Sequence, residues 1–259
     1  MFRERQGRTY LASHAVRNPL KVVRPFGLSD GGALVQVLLN APGMFANDHY
    51  SVDIVVERGA RALVMSPSAT KIHHMPGGGC ATQSVHIRVE DGACLQYIPA
   101  LNIPFPEAEF RQRVSIELAR ESRFGIVEAW AMGRVERGEH LQFRRLSSTT
   151  RVDVEDRPAY RDALDLATST ARPAGWGLLE GHRYVVSGYW HGPVIQAPEA
   201  FAGRDLRSLA VFGSFDPSGH YFRGLFSDSL AMQRAIAEAE QAVTESWNLP
   251  AIQLQSYRC

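Results

Sequence analysis

The chain has 259 residues, of which 45% are hydrophobic, so it can bury a sizeable core and is not expected to be disordered. Its 28 basic and 27 acidic side chains leave a net charge of +1, which excludes a long-range field that would gather nucleic acid or an anionic membrane surface. No run of about 18 apolar residues occurs, and residues 1–7 lack the apolar core of a signal peptide. We therefore expect a cytoplasmic protein that recognises its partners locally, with no nucleic acid and no membrane among them.

A strand-turn-strand pattern recurs along the first half of the chain. Apolar residues alternate over 52–56, and a short turn leads to a second extended run. The pattern returns at 85–89, a shift of 33 residues, with Gly92 in its turn, and again at 114–118, a further shift of 29 residues. A looser fourth copy covers 152–154.

Each of these units has a half-apolar face that it cannot bury alone. A recurrence near 30 residues therefore predicts a mainly β fold of stacked strand-turn-strand layers, in a β-solenoid or a sandwich-like arrangement. Antiparallel β proteins in general also give such spacing, so the two arrangements stay open at this point.

The second half of the chain predicts one more strand and one helix. Residues 184–190 are typical of a strand, and Ser227 or Asp228 can cap a helix that runs to about Trp247. Its expected apolar face comprises Leu230, Ile236, Ala239, Val243 and Trp247, and Pro250 follows its end. Since no low-complexity linker occurs, we predict a single domain over 1–259, mainly β to about residue 226, with a C-terminal helix at about 228–247.

Metal-ligand side chains are concentrated between Lys71 and Cys80. This segment contains His73, His74 and Met75, and such ligands suit nickel, copper or zinc. Neighbouring residues on an extended strand point to opposite faces, so the two imidazoles would share an ion only if the loop bends. A solvated loop is the alternative to a metal site.

The three cysteines indicate neither a disulfide framework nor a structural zinc site, because they are odd in number and lack CxxC spacing. Cys94 alternates with apolar neighbours and is expected in the core, whereas Cys259 is at the terminus.

Two carboxylates invite a functional interpretation. Glu128 lies within an apolar strand, where an acidic side chain must find a partner, face water or change its pKa. It either points outward from a half-buried strand, with Arg134 as a plausible partner, or lines an internal polar passage. Asp48 is open to the same two interpretations, with turn formation as its structural role.

The segment 59–72 closely fits a Gly-Ala-x-Ala-x-x-x-(Ser/Thr)-x-x-Ala-Thr-Lys-(Val/Ile) pattern. On this segment, and on further matches at 19–25, 95–99 and 127–134, the chain resembles the urease accessory protein family called UreD or UreH. It departs from the family as a divergent member, because 45–48 replaces a Gly-Gly-Asp motif and keeps only its Asp48, and Gln96 and Leu101 stand where the family has acidic residues.

The resemblance implies a mainly β scaffold without a catalytic cycle or a tightly bound cofactor. Such a protein binds apo-urease, joins the helical accessory protein UreF and the GTPase UreG in a hetero-oligomer, and assists delivery of transient Ni²⁺. Asp48 and Glu128 match acidic positions of the family and are the candidates for the nickel route. His73 and His74 are further candidate ligands.

Two other function classes follow from the residues alone. A metal-dependent hydrolase could use His73 and His74 with a distant third ligand. A sugar-binding or adhesin module could present exposed aromatic residues such as Tyr189, Trp190 and Tyr221, although the expected lack of an export signal weighs against it.

Overall fold

The computed structural model describes residues 1–168, 178–196 and 208–249. Within these ranges the secondary structure is almost entirely β, with one α-helix, α1 (Ser229–Ser246), and one short 3₁₀ turn at Val135–Arg137. The strands are β1 (Phe2–Arg5), β2 (Arg8–Leu11), β3 (Leu20–Val22), β4 (Phe26–Gly27), β5 (Ala33–Leu39), β6 (His49–Val56), β7 (Arg61–Met65), β8 (Thr70–Ile72), β9 (Ala81–Val89), β10 (Cys94–Ile98), β11 (Asn102–Pro104), β12 (Glu109–Leu118), β13 (Arg123–Ala131), β14 (Arg145–Val154), β15 (Arg157–Ala167), β16 (Tyr184–His191), β17 (Ser208–Ser214) and β18 (Gly219–Phe226).

Two sheets face each other across the main core. The first has the order β15-β14-β12-β9-β6-β1-β2, and the second has the order β17-β18-β16-β13-β10-β7-β5-β3. The chain passes from one sheet to the other at each turn, from β6 to β7, from β9 to β10 and from β12 to β13. Successive strands within each sheet are parallel in this region, so the layers form a β-solenoid-like stack, which confirms the predicted fold class.

The predicted sequence copies are in register in the structure. Ile54 pairs with Ile87, Ile87 pairs with Ile116, and Ile116 pairs with Val152. These residues and most of their neighbours two positions away form apolar rows that are buried between the sheets. The sequence shifts of 33 and 29 residues are therefore the lengths of successive coils.

The turns between the sheets also stack on one another. The Cys94 amide donates to the Ala60 carbonyl oxygen at 2.9 Å, and the Arg123 amide donates to that of Ala93 at 2.8 Å. Gly92, which follows Asp91 in the turn, has a φ of 67°, the left-handed conformation that glycine adopts readily. One turn per coil thus fixes the point at which the chain changes sheets.

The coil pattern ends after β14. The turn that follows leads into β15, which pairs antiparallel with β14 in the same sheet instead of crossing to the second one. Strands β16, β18 and β17 then extend the second sheet in antiparallel fashion. The predicted strand at 184–190 is confirmed as β16.

Helix α1 covers the outer face of the second sheet. The Asp228 side chain caps it by accepting from the Ala231 amide at 2.8 Å. Ile236, Ala239, Val243 and Trp247 pack in a cluster with residues of β13, β16 and β18, as predicted. Leu230 was placed on this face wrongly: it lies in the first turn of the helix and is 54% exposed. Among the described residues, no helix is long and apolar enough to cross a membrane. Pro250 and Cys259 lie outside the described ranges.

Candidate functional site

Glu128 is buried in the middle of β13, with an exposed fraction of 5%. Phe124 and Ile126, four and two positions before it, face the core between the sheets, and Val127 and Ala129 pack toward helix α1. Because side chains alternate along a strand, Glu128 points between the two sheets. The expectation of an outward-facing glutamate is therefore wrong, and the carboxylate lies inside the solenoid.

Two side chains from the opposite sheet satisfy the Glu128 carboxylate. The Thr150 hydroxyl donates a hydrogen bond of 2.7 Å to Oε2, and the Gln112 amide donates to Oε1. The same Gln112 amide nitrogen is 3.2 Å from the Ser148 hydroxyl. Burial raises the pKa of Glu128 to about 7, although the hydrogen bonds from Thr150 and Gln112 oppose the shift.

The polar network continues from Glu128 toward the edge of the molecule. Glu128 pairs in register with Ser187 of β16, which pairs with Arg223 of β18. The Ser187 hydroxyl donates to the carboxylate of Asp162, and the Arg223 guanidinium donates to the other oxygen of the same carboxylate. A small cavity with room for about one water molecule is lined by both ends of this network.

Arg134 was a wrong choice of partner for Glu128. Its Nε donates to the Glu139 carboxylate at 2.6 Å, and its guanidinium lies 4.1 Å from the centre of the Phe105 ring. The sequence analysis did not identify the side chains that donate hydrogen bonds to Glu128, although their pattern in the sequence could have indicated them. The two partners, Gln112 and Thr150, occupy inward positions of strands whose other inward residues are mostly apolar.

Asp48 closes a turn immediately before β6. Its Oδ2 accepts from the Phe45 amide at 2.8 Å, and the Asp48 amide donates back to the Phe45 carbonyl oxygen at 3.1 Å. The side chain also contacts Tyr50, whose pKa is raised by burial and then by the Asp48 charge. Tyr50 is the first residue of a register row that continues through Gln83 and Gln112. Asp48 is outside this row and contacts its first residue, and no hydrogen bond between the described carboxylates of Asp48 and Glu128 is present.

The two histidines follow β8 and do not converge. The His73 ring stacks on Phe45 with 4.5 Å between ring centroids, and its Nε2 is 3.1 Å from the Pro42 carbonyl oxygen. His74 turns the other way, with Nδ1 2.8 Å from the Pro106 carbonyl oxygen and Nε2 3.7 Å from the Glu107 carboxylate. Within the described residues, no three His, Cys, Asp or Glu side chains are grouped so that they could hold a metal ion.

Cys94 and two of the three aromatic residues that were expected on the surface are buried. Burial raises the pKa of Cys94 to about 11, so its thiol stays protonated at neutral pH. Tyr189 and Trp190 are each only 1% exposed, so the expectation that they are exposed is wrong. Tyr189 instead stacks on Tyr160, with 4.6 Å between ring centroids, inside the fold.

Comparison with known proteins gives a consistent result along the chain. A family model described as UreD urease accessory protein matches residues 1–256. Urease accessory protein UreD 1 of Synechococcus sp. (strain JA-3-3Ab) is 36% identical over 185 residues, which cover 71% of this chain and 69% of the relative. UreD of Deinococcus radiodurans is 34% identical over 73% of this chain and 68% of its own length. UreH of Helicobacter acinonychis is 28% identical over 77% of this chain and 74% of the relative. With its β-solenoid-like stack and a match over nearly its full length, the chain belongs to the UreD urease accessory protein family.

Proposed function

We propose that this chain is a non-catalytic scaffold of urease maturation that escorts nickel toward apo-urease. Its proposed partners are the urease subunits, a UreF-like helical accessory protein and a UreG-like GTPase. Membership of the UreD family supports the accessory role. The single observation that carries the nickel part is the buried Glu128, held in a polar network between the two sheets.

The energetics of a buried carboxylate favour this function over a purely structural one. Placing Glu128 between the sheets costs free energy, because the charged form loses its hydration. An apolar residue would pack there without that cost. A carboxylate surrounded by hydroxyl and amide groups, however, provides the oxygen ligands that a partly dehydrated dication needs inside a protein.

The ligand types also suit transfer better than storage. Nickel prefers imidazole, and sites made of carboxylate, hydroxyl and amide oxygen bind it more weakly. An ion that must be passed on benefits from such weak ligands, since it has to leave again. In this proposal Asp48 lies beside Tyr50, the first residue of the polar row, and Glu128 lies at the interior end of that row. His73 and His74 serve at most as separate surface ligands, because their rings diverge.

The hydrolase alternative has no comparable support. It needs several ligands around one ion, and the described residues contain no such group.

A complementation experiment tests the proposal. A host that contains urease and its other accessory genes, but lacks its own UreD gene, is supplied with this chain or with Glu128→Gln. The variant keeps the size of the side chain and removes its charge, so we expect at least a several-fold loss of urease activity and of nickel in purified urease. Co-purification with the partners should be retained.

Glu117→Gln is the matched control, because Glu117 is exposed on the outer face of β12. It should support activation like the unmodified chain. Full activation by Glu128→Gln would refute the nickel route, and failure of the unmodified chain to activate any urease would refute the accessory role in that host.

A further inference from the structure

Strand β17 ends the second sheet, and its composition differs from that of the other strands at sheet ends. The described sheets end at β15, β2, β17 and β3. Charged residues occur in three of these strands, since β15 has four of them, β2 has Arg8 and β3 has Lys21. Strand β17 has the sequence Ser-Leu-Ala-Val-Phe-Gly-Ser, with neither a charged residue nor a proline. It therefore lacks the side chains that usually keep an edge strand from pairing with another chain.

The hydrogen-bond pattern of β17 shows which of its backbone groups point away from the sheet. The strand pairs antiparallel with β18 along its full length, and no other described strand pairs with it. Just beyond the strand, the Phe215 amide donates to the Gly219 carbonyl oxygen at 3.2 Å. Hydrogen-bonded and non-hydrogen-bonded pairs alternate in an antiparallel ladder. The odd-numbered residues of β17 therefore bond to β18, and the even-numbered residues direct their amide and carbonyl groups to the outer side.

The residues of β17 are complementary in size about the centre of the strand, Val211. On either side of Val211, residues at equal distance form two pairs of one small and one large side chain, and then a pair of serines. These pairs are Ala210 with Phe212, Gly213 with Leu209, and Ser208 with Ser214. Two antiparallel β17 strands related by a two-fold axis at Val211 would place each large residue opposite a small one. The same register brings even-numbered residues opposite even-numbered residues, so the outward backbone groups face each other.

We propose that two copies of this chain associate through their β17 edges, with the strands antiparallel and the two-fold axis at Val211. The second sheets of the two copies then form one continuous sheet, with about eight backbone hydrogen bonds across the junction. This inference is independent of the nickel route and uses neither Asp48 nor Glu128. A symmetric dimer of this kind presents every remaining surface of the chain twice.

The side chains at this edge fit a second strand. Val211 is 48% exposed, and in the dimer it packs against Val211 of the second copy, which removes apolar surface from water. On the other face of the strand, the Phe212 ring packs against the buried Trp190, with 5.7 Å between ring centroids. Phe212 is thus held in place within its own copy, and the small Ala210 of the second copy occupies little space beside it.

The size of the contact determines how strong the dimer is. Seven residues of extended strand span about 24 Å. A junction that contains one strand from each copy buries less than about 1,200 Å², which is the low end of specific interfaces. We therefore expect a reversible dimer with a dissociation constant in the micromolar range, rather than a permanent one.

Sedimentation equilibrium of the purified chain at several concentrations tests the proposal. We expect a monomer–dimer equilibrium for the unmodified chain. Val211→Lys should weaken dimerisation at least about tenfold, because two ammonium groups would meet at the axis. The side chain is exposed, so the variant should keep the circular dichroism spectrum of the folded chain. Val16→Lys is the matched control, since Val16 is 39% exposed and precedes β3, at the opposite end of the second sheet. It should leave dimerisation unchanged.

Cysteine cross-linking tests the position of the two-fold axis. At a non-hydrogen-bonded antiparallel pair the two Cα atoms lie about 4.5 Å apart, a distance that a disulfide can span. Val211→Cys, in a Cys80→Ser/Cys259→Ser background, should therefore form a covalent dimer with oxidised glutathione. Leu209→Cys in the same background is the control. In the proposed register Leu209 lies opposite Gly213 of the second copy and about 14 Å from its own counterpart, so it should not cross-link.

Three results would overturn the proposal. The first is a monomer at every concentration, and the second is a folded Val211→Lys variant that dimerises like the unmodified chain. The third is equal cross-linking of Val211→Cys and Leu209→Cys. If the chain is monomeric but Val211→Lys abolishes co-purification with the urease partners, the edge instead binds an extended segment of a partner. Because sedimentation and cross-linking require neither nickel nor urease, they can fail while the complementation experiment succeeds, and the reverse.

Discussion

Glu128 and Thr150 lie on opposite sheets of the solenoid, and the Thr150 hydroxyl donates to the Glu128 carboxylate at 2.7 Å. Together with the Gln112 amide, this hydrogen bond joins the two sheets at a position where the neighbouring rows are apolar. A buried carboxyl group thus links the two sheets, and both the stability of the protein and its dependence on pH should reflect this link.

Removing the Thr150 hydroxyl should lower the stability of the folded protein. Thr150→Val keeps the shape of the side chain but leaves one carboxylate oxygen of Glu128 without its donor, so we expect a loss of about 1–3 kcal/mol in the free energy of unfolding at pH 8. Urea denaturation measures it. Thr149→Val, at the neighbouring outward position of β14, is the control and should change stability by less than about 0.5 kcal/mol. Equal effects of the two variants would contradict the role of the buried hydrogen bond.

The buried carboxyl should make stability depend on pH in a defined direction. The pKa of Glu128 is about 7 in the folded state and 4.5 ordinarily, so folding favours the protonated form. The contribution of this protonation to the free energy of unfolding is fully present below about pH 4.5 and is lost as pH rises through about 7. The total loss in the free energy of unfolding is roughly 3 kcal/mol. Charged neighbours act on it too, because Asp162 raises this pKa and Arg223 lowers it.

Glu128→Gln cannot ionise, so it should gain stability relative to the unmodified chain between pH 5 and pH 8. Urea denaturation at several pH values measures the difference. If the free energies of unfolding of the two proteins change with pH in parallel, then burial does not raise the pKa of the Glu128 carboxyl group.

The divergent histidines predict independent effects on metal binding. If His73→Ala and His74→Ala alter the nickel affinity at all, their free-energy changes should add in the double variant, because the two rings have different neighbours. Equilibrium dialysis against NiCl₂ measures the nickel affinity of the single and double variants and so completes a double-mutant cycle. A coupling of more than about 0.5 kcal/mol would indicate a shared ion and would revive the hydrolase interpretation.

A glycine in β13 should be sensitive to the smallest enlargement. A Cβ on Gly125 would lie 2.6 Å from Cδ1 of the buried Trp190 ring, so Gly125→Ala should destabilise the fold by about 1–3 kcal/mol or more. Gly77→Ala is the control, since Gly77 has no atom within 4 Å of its would-be Cβ and no positive φ. Thermal unfolding measures the stability of both variants. An unchanged stability of Gly125→Ala would contradict the tight packing of Trp190 against this glycine.

The solenoid was predictable because its signal is repeated. The alternation of apolar residues marks the start of successive coils at Val52, Val85 and Val114. These residues pair with one another in the structure. The hairpin that turns β15 back was not predictable, because the Glu155-Asp156 turn resembles the earlier turns in sequence and differs only in where its second strand pairs. That choice depends on tertiary contacts with β16 and β18 that no local pattern encodes.

The polar network around Glu128 was foreseen only in part. Glu128 was identified because an acidic residue in an apolar strand is unusual, but its orientation depended on the register of β13 against its neighbours. Its link to Asp162 and Arg223 joins residues 34 and 95 positions further along the chain. Contacts over such separations are set by sheet order, which the chain's alternation does not specify.

The return of β15 onto β14 also determines how the stack ends. An open parallel layer would offer its free backbone groups to a further coil or to another molecule. In the described chain the first sheet ends instead at a strand whose exposed residues include Arg157, Arg161 and Asp165. Charged side chains along a sheet edge disfavour the addition of a further strand, so this edge is a poor template for pairing with another chain.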